Sequence, residues 1–110
     1  MAGITSALCT SFKVELLEGD HDFNNGADAF KVALFKANAS ITGTYDASTT
    51  NYSNVTGNSD ELPNGSGYTT GGYALTNVNP TSTGTTAFTD FSANAAWSSA
   101  TFTTRGCIIY

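Results

Sequence analysis

Gly67-Tyr68-Thr69-Thr70-Gly71-Gly72-Tyr73-Ala74-Leu75-Thr76-Asn77-Val78 opens the last third of the chain. Thr86-Ala87-Phe88-Thr89-Asp90-Phe91 follows, and then Trp97-Ser98-Ser99-Ala100-Thr101-Phe102-Thr103-Thr104-Arg105-Gly106-Cys107-Ile108-Ile109-Tyr110. Short β-branched and aromatic runs alternate with Thr and Ser, and Gly, Asn and Pro break them. Antiparallel sheet proteins are written this way. The final run, Cys107-Ile108-Ile109-Tyr110, consists of good strand formers. Its backbone groups need partners in a sheet, in water or in another molecule, so these four residues are the expected interaction edge.

Working back, Ala29-Phe30-Lys31-Val32-Ala33-Leu34-Phe35 is the clearest strand. Phe30, Val32 and Leu34 fall on one side; Ala29, Lys31, Ala33 and Phe35 fall on the other. Apolar residues on both sides mark a central strand. Further strands are expected at 73–78, where Asn79-Pro80 ends the run, at 85–91, at 95–97, at 101–104 and at 107–110. Arg105-Gly106 reads as a bulge, a turn or a close backbone approach. Asn64-Gly65-Ser66-Gly67 reads as a turn. Gly71-Gly72 lacks the Lys and helix of a phosphate loop and reads as a turn or bulge at the mouth of a strand.

Residues 4–17 are the one segment with helical spacing. Thr5 or Ser6 is placed to cap it and Gly19 to end it, with Leu8, Phe12 and Leu16 on one face. Residues 38–64 are rich in Thr, Ser, Asn and Asp, and are expected to be a loop holding at most a short turn of helix. The expectation is a single domain over residues 1–110. A helix within 1–18 packs on an all-β antiparallel sandwich over 29–110, Ig-like or jelly-roll-like, with five to seven short strands. Its expected core is Leu8, Phe12, Leu16, Phe30, Val32, Leu34, Leu75, Phe88, Phe91, Trp97, Phe102 and Ile108.

The net charge of −5 arises from nine carboxylates against Lys13, Lys31, Lys36 and Arg105. Four scattered cations cannot displace counterions along a phosphate backbone, which argues against nucleic acid. The same deficit argues against anionic membranes. No apolar run approaches the roughly 18 residues of a membrane span. The N-terminus lacks the basic region of a secretory signal, so synthesis in a reducing cytoplasm is expected. Cys9 and Cys107 are then expected to be free, buried thiols. A bridge between them would contribute about 4 to 5 kcal/mol by closing most of the chain.

Catalytic equipment is sparse. His21 stands alone between Asp20 and Asp22, and reads as a solvated loop residue. Asp20, Asp22, Asn24 and Asp28 sketch a calcium loop. From Asp20, however, position 6 is Asn25 and position 12 is Lys31, where an EF-hand wants Gly and Glu. A different oxygen site remains open at these four residues. Asp60-Glu61 offers a carboxylate pair on a loop where solvation is the simpler expectation. Tyr45, Tyr52, Tyr68 and Tyr73 offer rings for stacking on a sugar, against the alternative of core packing. No cofactor is expected.

Three segments in order carry a family resemblance. The first is Thr10-Ser11-Phe12-Lys13, Glu15-Leu16-Leu17-Glu18-Gly19, His21-Asp22-Phe23 and Phe30-Lys31-Val32-Ala33-Leu34. The second is Gly65-Ser66-Gly67-Tyr68-Thr69-Thr70-Gly71-Gly72. The third is Trp97-Ser98-Ser99-Ala100-Thr101-Phe102-Thr103-Thr104-Arg105-Gly106. Together they resemble a group of small structural proteins of tailed phages, common in marine phage genomes. The resemblance implies a virion component of head or tail without an assigned reaction, made in the host cytoplasm. Its partners would be copies of itself and other virion proteins. Members of that group continue with further strands, so a sandwich incomplete at its C-terminal side is expected. The alternative expectation is a carbohydrate- or receptor-binding module of a tail tip.

Overall fold

A computed structural model describes residues 2–110, the Asn38 side chain excepted. In chain order the elements are β1 (Gly3–Ile4), α1 (Thr10–Glu18), β2 (Phe30–Leu34), a 3-10 turn (Asn38–Ser40), β3 (Thr44–Tyr45) and α2 (Ser53–Gly57). β4 (Tyr73–Leu75), β5 (Asn77–Thr83), β6 (Thr86–Phe91) and β7 (Cys107–Ile109) complete the chain. The protein is β-rich, with short helices. Its strands form a three-stranded sheet ordered β4-β2-β7 and two pairs, β1-β3 and β5-β6.

The central strand is β2. β4 pairs antiparallel on one side, with Phe30 opposite Leu75 and Val32 opposite Tyr73. β7 pairs antiparallel on the other, with Ala33 opposite Ile108. Beyond Val32 the β4 side changes partner. The Lys36 N–H donates to the Asp60 carbonyl at 2.9 Å, and the Leu62 N–H donates to the Leu34 carbonyl at 2.8 Å. Residues 60–62 thus continue the pairing that β4 begins. Between the two segments the Leu34 N–H would lack an acceptor; it donates to the Tyr68 hydroxyl oxygen at 3.0 Å.

Gly72 makes the changeover possible. Its φ is +82°, and a Cβ there would lie 1.9 Å from the Val32 carbonyl oxygen. Only a residue without a side chain lets the chain approach β2 so closely.

Alternation along β2 sends side chains to two apolar clusters. Leu34 joins Leu62 and Tyr68 on one face, with Trp97 and Phe102 half-buried around them. Phe35 joins Ile41, Tyr45 and Val55 on the other, with Ile4, Tyr52 and Ile108 against them. Loops carrying aromatic rings cover both faces of this sheet. At its start Phe30 stacks on Phe23, with ring centres 4.5 Å apart. Phe23 meets Phe12 edge-on, and the Thr10 N–H donates to the Ala47 carbonyl at 2.8 Å; both contacts hold α1.

Several expectations are corrected. The helix begins at Thr10, because Gly3–Ile4 pairs parallel with Thr44–Tyr45 as a strand. Met1, within the expected 1–18 helix, lies outside the described residues. Gly19 does end the helix, with a left-handed φ of 83°. Leu8 and Leu16 are exposed and only Phe12 of the expected helix face is partly covered, because α1 meets the body through that ring, Ser11 and Glu15 and at its N-terminus through Thr10. The run from residue 73 splits at Thr76, and β5 passes through Asn79-Pro80 to Thr83 by a register shift between Val78 and Thr81. Proline is tolerated there because a bulge on a two-stranded ribbon needs no N–H at that point. Residues 95–97 and 101–104 are not strands. Phe88 is exposed. Neither cysteine is buried: Cys9 is half-buried, Cys107 is exposed, and they are unbridged.

The Gly72 contact generates a sharp expectation. Gly72→Ala should destabilise the protein by about 3 kcal/mol or more, since backbone must move. Gly84→Ala, which also has positive φ but meets no atom within 4 Å, should cost about 1 kcal/mol. Urea midpoints of the two variants provide the check; equal shifts would contradict the close approach.

Candidate functional site

Asp60 and Glu61 sit in the segment that finishes the β2 pairing. Asp60 has no exposed surface and Glu61 is 7 % exposed. An unpaired carboxylate in such a place costs several kcal/mol, so each needs donors. Neighbouring residues on extended backbone point opposite ways, and the two side chains recruit different loops.

Asp60 takes the 42–45 loop. Its Oδ1 accepts from the Thr42 N–H at 2.9 Å and the Thr42 hydroxyl at 3.0 Å. Its Oδ2 accepts from the Gly43 N–H and the Tyr45 hydroxyl, both at 2.7 Å. Four donors fill the lone-pair sites of one carboxylate. Burial alone would raise the Asp60 carboxyl. The bonds from Tyr45, Thr42 and Gly43 outweigh it and hold the group below the ordinary carboxylate value. Tyr45 is pushed up to about 12, first by burial and then by its bond to Asp60. Its hydroxyl also accepts from the Asn58 amide at 3.1 Å.

Glu61 takes the turn before β4. Its Oε1 accepts from the Tyr68 hydroxyl at 2.7 Å and the Gly71 N–H at 2.6 Å. Its Oε2 accepts from the Tyr52 hydroxyl. The Tyr52 ring stacks on Tyr110 with centres 3.9 Å apart, and the Tyr110 hydroxyl donates to the Gly71 carbonyl at 2.6 Å. Burial first, and then the neighbouring carboxylate, raise Tyr52 and Tyr68 well above the usual phenol range. At neutral pH these phenols keep their protons and act as donors.

Chemically, the cluster is a set of pins. The Asp60 lone pairs are all engaged, and Glu61 holds three donors. Glu61 borders a shallow depression of about 260 Å³ with Lys36, Ser59 and Thr70. The expectation of a solvated loop pair is therefore corrected: both carboxylates are interior.

The four tyrosines do not form one stacking surface. Tyr45 and Tyr68 are buried, Tyr52 is half-buried beneath Tyr110, and Tyr73 meets Trp97 edge-on. His21 is half-buried and not a solvated residue; its Nε2 lies 2.7 Å from Glu15 Oε2, and its ring lies against Phe12. Asp22 Oδ1 accepts from the Asn24 backbone and side-chain amides, and Asp28 Oδ2 accepts from the Asp22 N–H. These carboxylates shape their own loop, and Asp20, Asp22, Asn24 and Asp28 are all exposed. Among the described residues no group of three His, Cys, Asp or Glu is arranged for a metal. Cys107, Ile108 and Ile109 form β7 at the sheet edge, and Tyr110 extends it through two bonds with Lys31.

Sequence reasoning missed Ile41, Val55 and Leu62 as core and Asp60-Glu61 as its organiser, whereas Tyr45 and Tyr68 take the core alternative given for them. One signal was available: two adjacent carboxylates directly before Leu62-Pro63, with Tyr45, Tyr52 and Tyr68 nearby to donate.

The chain matches no known family model, no curated protein and no solved structure. Among the described residues no helix is long and apolar enough to cross a membrane.

Stability should depend on pH at both ends. Folding lowers the Asp60 carboxyl from its ordinary 3.8. Its contribution is therefore whole above that value and is lost as the pH falls through the folded one. Folding raises Tyr45 from 10.0 to about 12. That contribution is whole below pH 10.0 and disappears as the pH rises through about 12. Asp60→Asn should cost about 2 to 3 kcal/mol at pH 7, because an amide presents a donor to donors. It should also flatten the acid limb. Urea titrations from pH 2.5 to 7 test this; an unchanged acid limb in the variant would refute the assignment.

Proposed function

We propose that the protein is a non-enzymatic structural subunit of a bacteriophage virion, a head decoration or tail component that acts by docking. The observation that carries this reading is the open edge of β7. Lys31 exchanges backbone bonds with Tyr110, Ala33 pairs with Ile108, and the Phe35 N–H donates to the Gly106 carbonyl, so the N–H and C=O groups of Cys107 and Ile109 point away from the sheet. Cys107 is exposed and Ile109 is 54 % exposed. Edges that must stay single usually carry Lys, Pro or a bulge. Residues 106–110 carry none of these and no charged side chain. Such an edge is suited to strand addition.

A strand from a neighbour added at β7 would extend the three-stranded sheet. The saturated carboxylates also favour a scaffold: the groups best placed for acid–base work already hold the loops. The family resemblance adds the virion setting, with assembly from host cytoplasm onto copies of the chain and other virion proteins. A carbohydrate-binding module is less well supported, since Tyr45 and Tyr68 direct their hydroxyls to buried carboxylates.

Antibody raised to this chain should label purified virions of the phage that encodes it. Label confined to the soluble lysate would sink the proposal. Light scattering after gel filtration should show a dimer or larger species. Ile109→Lys should shift it towards monomer with an unchanged circular dichroism spectrum.

A further inference from the structure

The dipeptide Asn-Gly occurs at Asn25-Gly26 and again at Asn64-Gly65. At this dipeptide an asparagine side chain is readily attacked by its own backbone, because glycine puts no side chain beside the attacking nitrogen. In that reaction the Gly nitrogen bonds to the Asn Cγ and gives up its proton. The bond from Cγ to the side-chain nitrogen breaks, and ammonia leaves. Water then opens the cyclic imide at either carbonyl. One opening gives aspartate. The other gives isoaspartate, whose main chain is lengthened because it runs through Cβ. Water enters, ammonia departs, and nothing is oxidised or reduced.

Both dipeptides are exposed, so exposure does not distinguish them. Hydrogen bonding does. At Asn64-Gly65 both reacting groups are held. The Gly65 N–H donates to the Tyr68 carbonyl at 2.9 Å, and the Tyr68 N–H donates back to the Gly65 carbonyl at 2.9 Å. Tyr68 is buried and its hydroxyl donates to Glu61, so this bridge is anchored in the core. Asn64 Oδ1 accepts from the Thr70 N–H at 3.4 Å. At Asn25-Gly26 both reacting groups are free. Among the described residues nothing bonds to the Gly26 N–H or to the Asn25 carboxamide. The Ala27 N–H donates to the Asn24 carbonyl at 3.1 Å, which puts Asn25 and Gly26 at the centre of a tight turn. Gly26 has a φ of +81°, and a Cβ there would meet no atom within 4 Å.

The bonds around Asn25 give its conversion a consequence. Its N–H donates to Asn79 Oδ1 at 2.8 Å. The carbonyls of Asn24 and Asp28, on either side of it, accept from the Asn77 side-chain amide at 3.3 and 2.9 Å. These bonds tie the 24–28 loop to the base of the β5-β6 ribbon. A main chain lengthened at position 25 moves Asn24 away from Asp28, and one amide cannot follow both. Asn77 is 6 % exposed and its Oδ1 has no partner among the described residues, so it has no second bond to fall back on. Every residue from 78 to 90 is exposed, and a two-stranded ribbon has little stability of its own.

We propose that Asn25 is a self-modifying site. It converts to aspartate and isoaspartate without an enzyme while Asn64 stays intact, and the isoaspartate form releases the base of the β5-β6 ribbon. This holds whether or not the chain docks in a virion.

Incubation of the chain in neutral buffer, followed by peptide mapping on a mass spectrometer, reads both asparagines at once. Asn25 should convert at least about fivefold faster than Asn64, a factor set by the backbone hydrogen bond that must break at Gly65. In concentrated urea, where both dipeptides are freed, the two rates should agree. A folded chain in which Asn64 keeps pace with Asn25, or in which Asn25 survives until the urea sample has fully converted, overturns the site. Hydrogen exchange reads the consequence. Amides of residues 77–83 and 86–91 should exchange about fivefold faster in the isoaspartate form, with those of β2 unchanged. Asn25→Gln, whose longer side chain closes the ring far more slowly, should keep its original exchange through the same incubation. Ribbon exchange unchanged in the converted chain, or equally raised in Asn25→Gln, overturns the release.

Discussion

Two neighbouring carboxylates in an interior without other charges constrain this structure more than any apolar contact. Asp60 and Glu61 are nearly devoid of exposed surface. A buried carboxylate without donors would cost a large part of the stability of a domain this small. Seven donors meet that demand, four at Asp60 and three at Glu61. Three of them are backbone N–H groups, so satisfying the charge fixes the paths of the 42–45 loop and the turn before β4. A hydrophobic cluster would hold these loops loosely; hydrogen-bond direction holds them in one geometry.

The consequences run outward from that point. With residues 60–62 tied to Leu34 and Lys36, β2 is paired along its whole length by two segments in succession. The Tyr68 hydroxyl accepts from the Leu34 N–H in the gap and donates to Glu61. The three-stranded sheet can stay small because β3, α2 and the loops bring Tyr45, Val55, Tyr68 and Trp97 against its faces. The β5-β6 ribbon is tied to this arrangement only at its base, where Asn77 and Asn79 bond to the 24–28 loop. The β7 edge carries no charged side chain on an acidic molecule, which is why the proposed function is assembly.

Legibility followed locality. β2 was readable because its alternation is complete within seven residues and apolar on both sides. β6 and β7 were readable for the same reason. Gly19 and Gly71-Gly72 were readable because left-handed backbone and close approach leave few other residue types. The helix was half right: the three-four spacing marks a helix, but Leu8 and Leu16 remain exposed because only the Phe12 ring reaches the aromatic cluster. Residues 38–64 misled most. Ile41, Tyr45, Val55 and Leu62 fall at spacings that match neither a helix nor a strand, and their polar neighbours disguise them as a loop.

By itself the chain's order of residues determined a β-rich class, the central strand, the glycine-dependent turns and an apolar last strand. These depend on backbone preferences and alternation among immediate neighbours. Only the tertiary structure decided that Asp60 and Glu61 are interior, that the polar middle supplies much of the core, and that the ribbon is exposed from Val78 to Asp90. The donors that make a buried carboxylate tolerable lie seven to eighteen residues away, and no local pattern states whether the chain will bring them together.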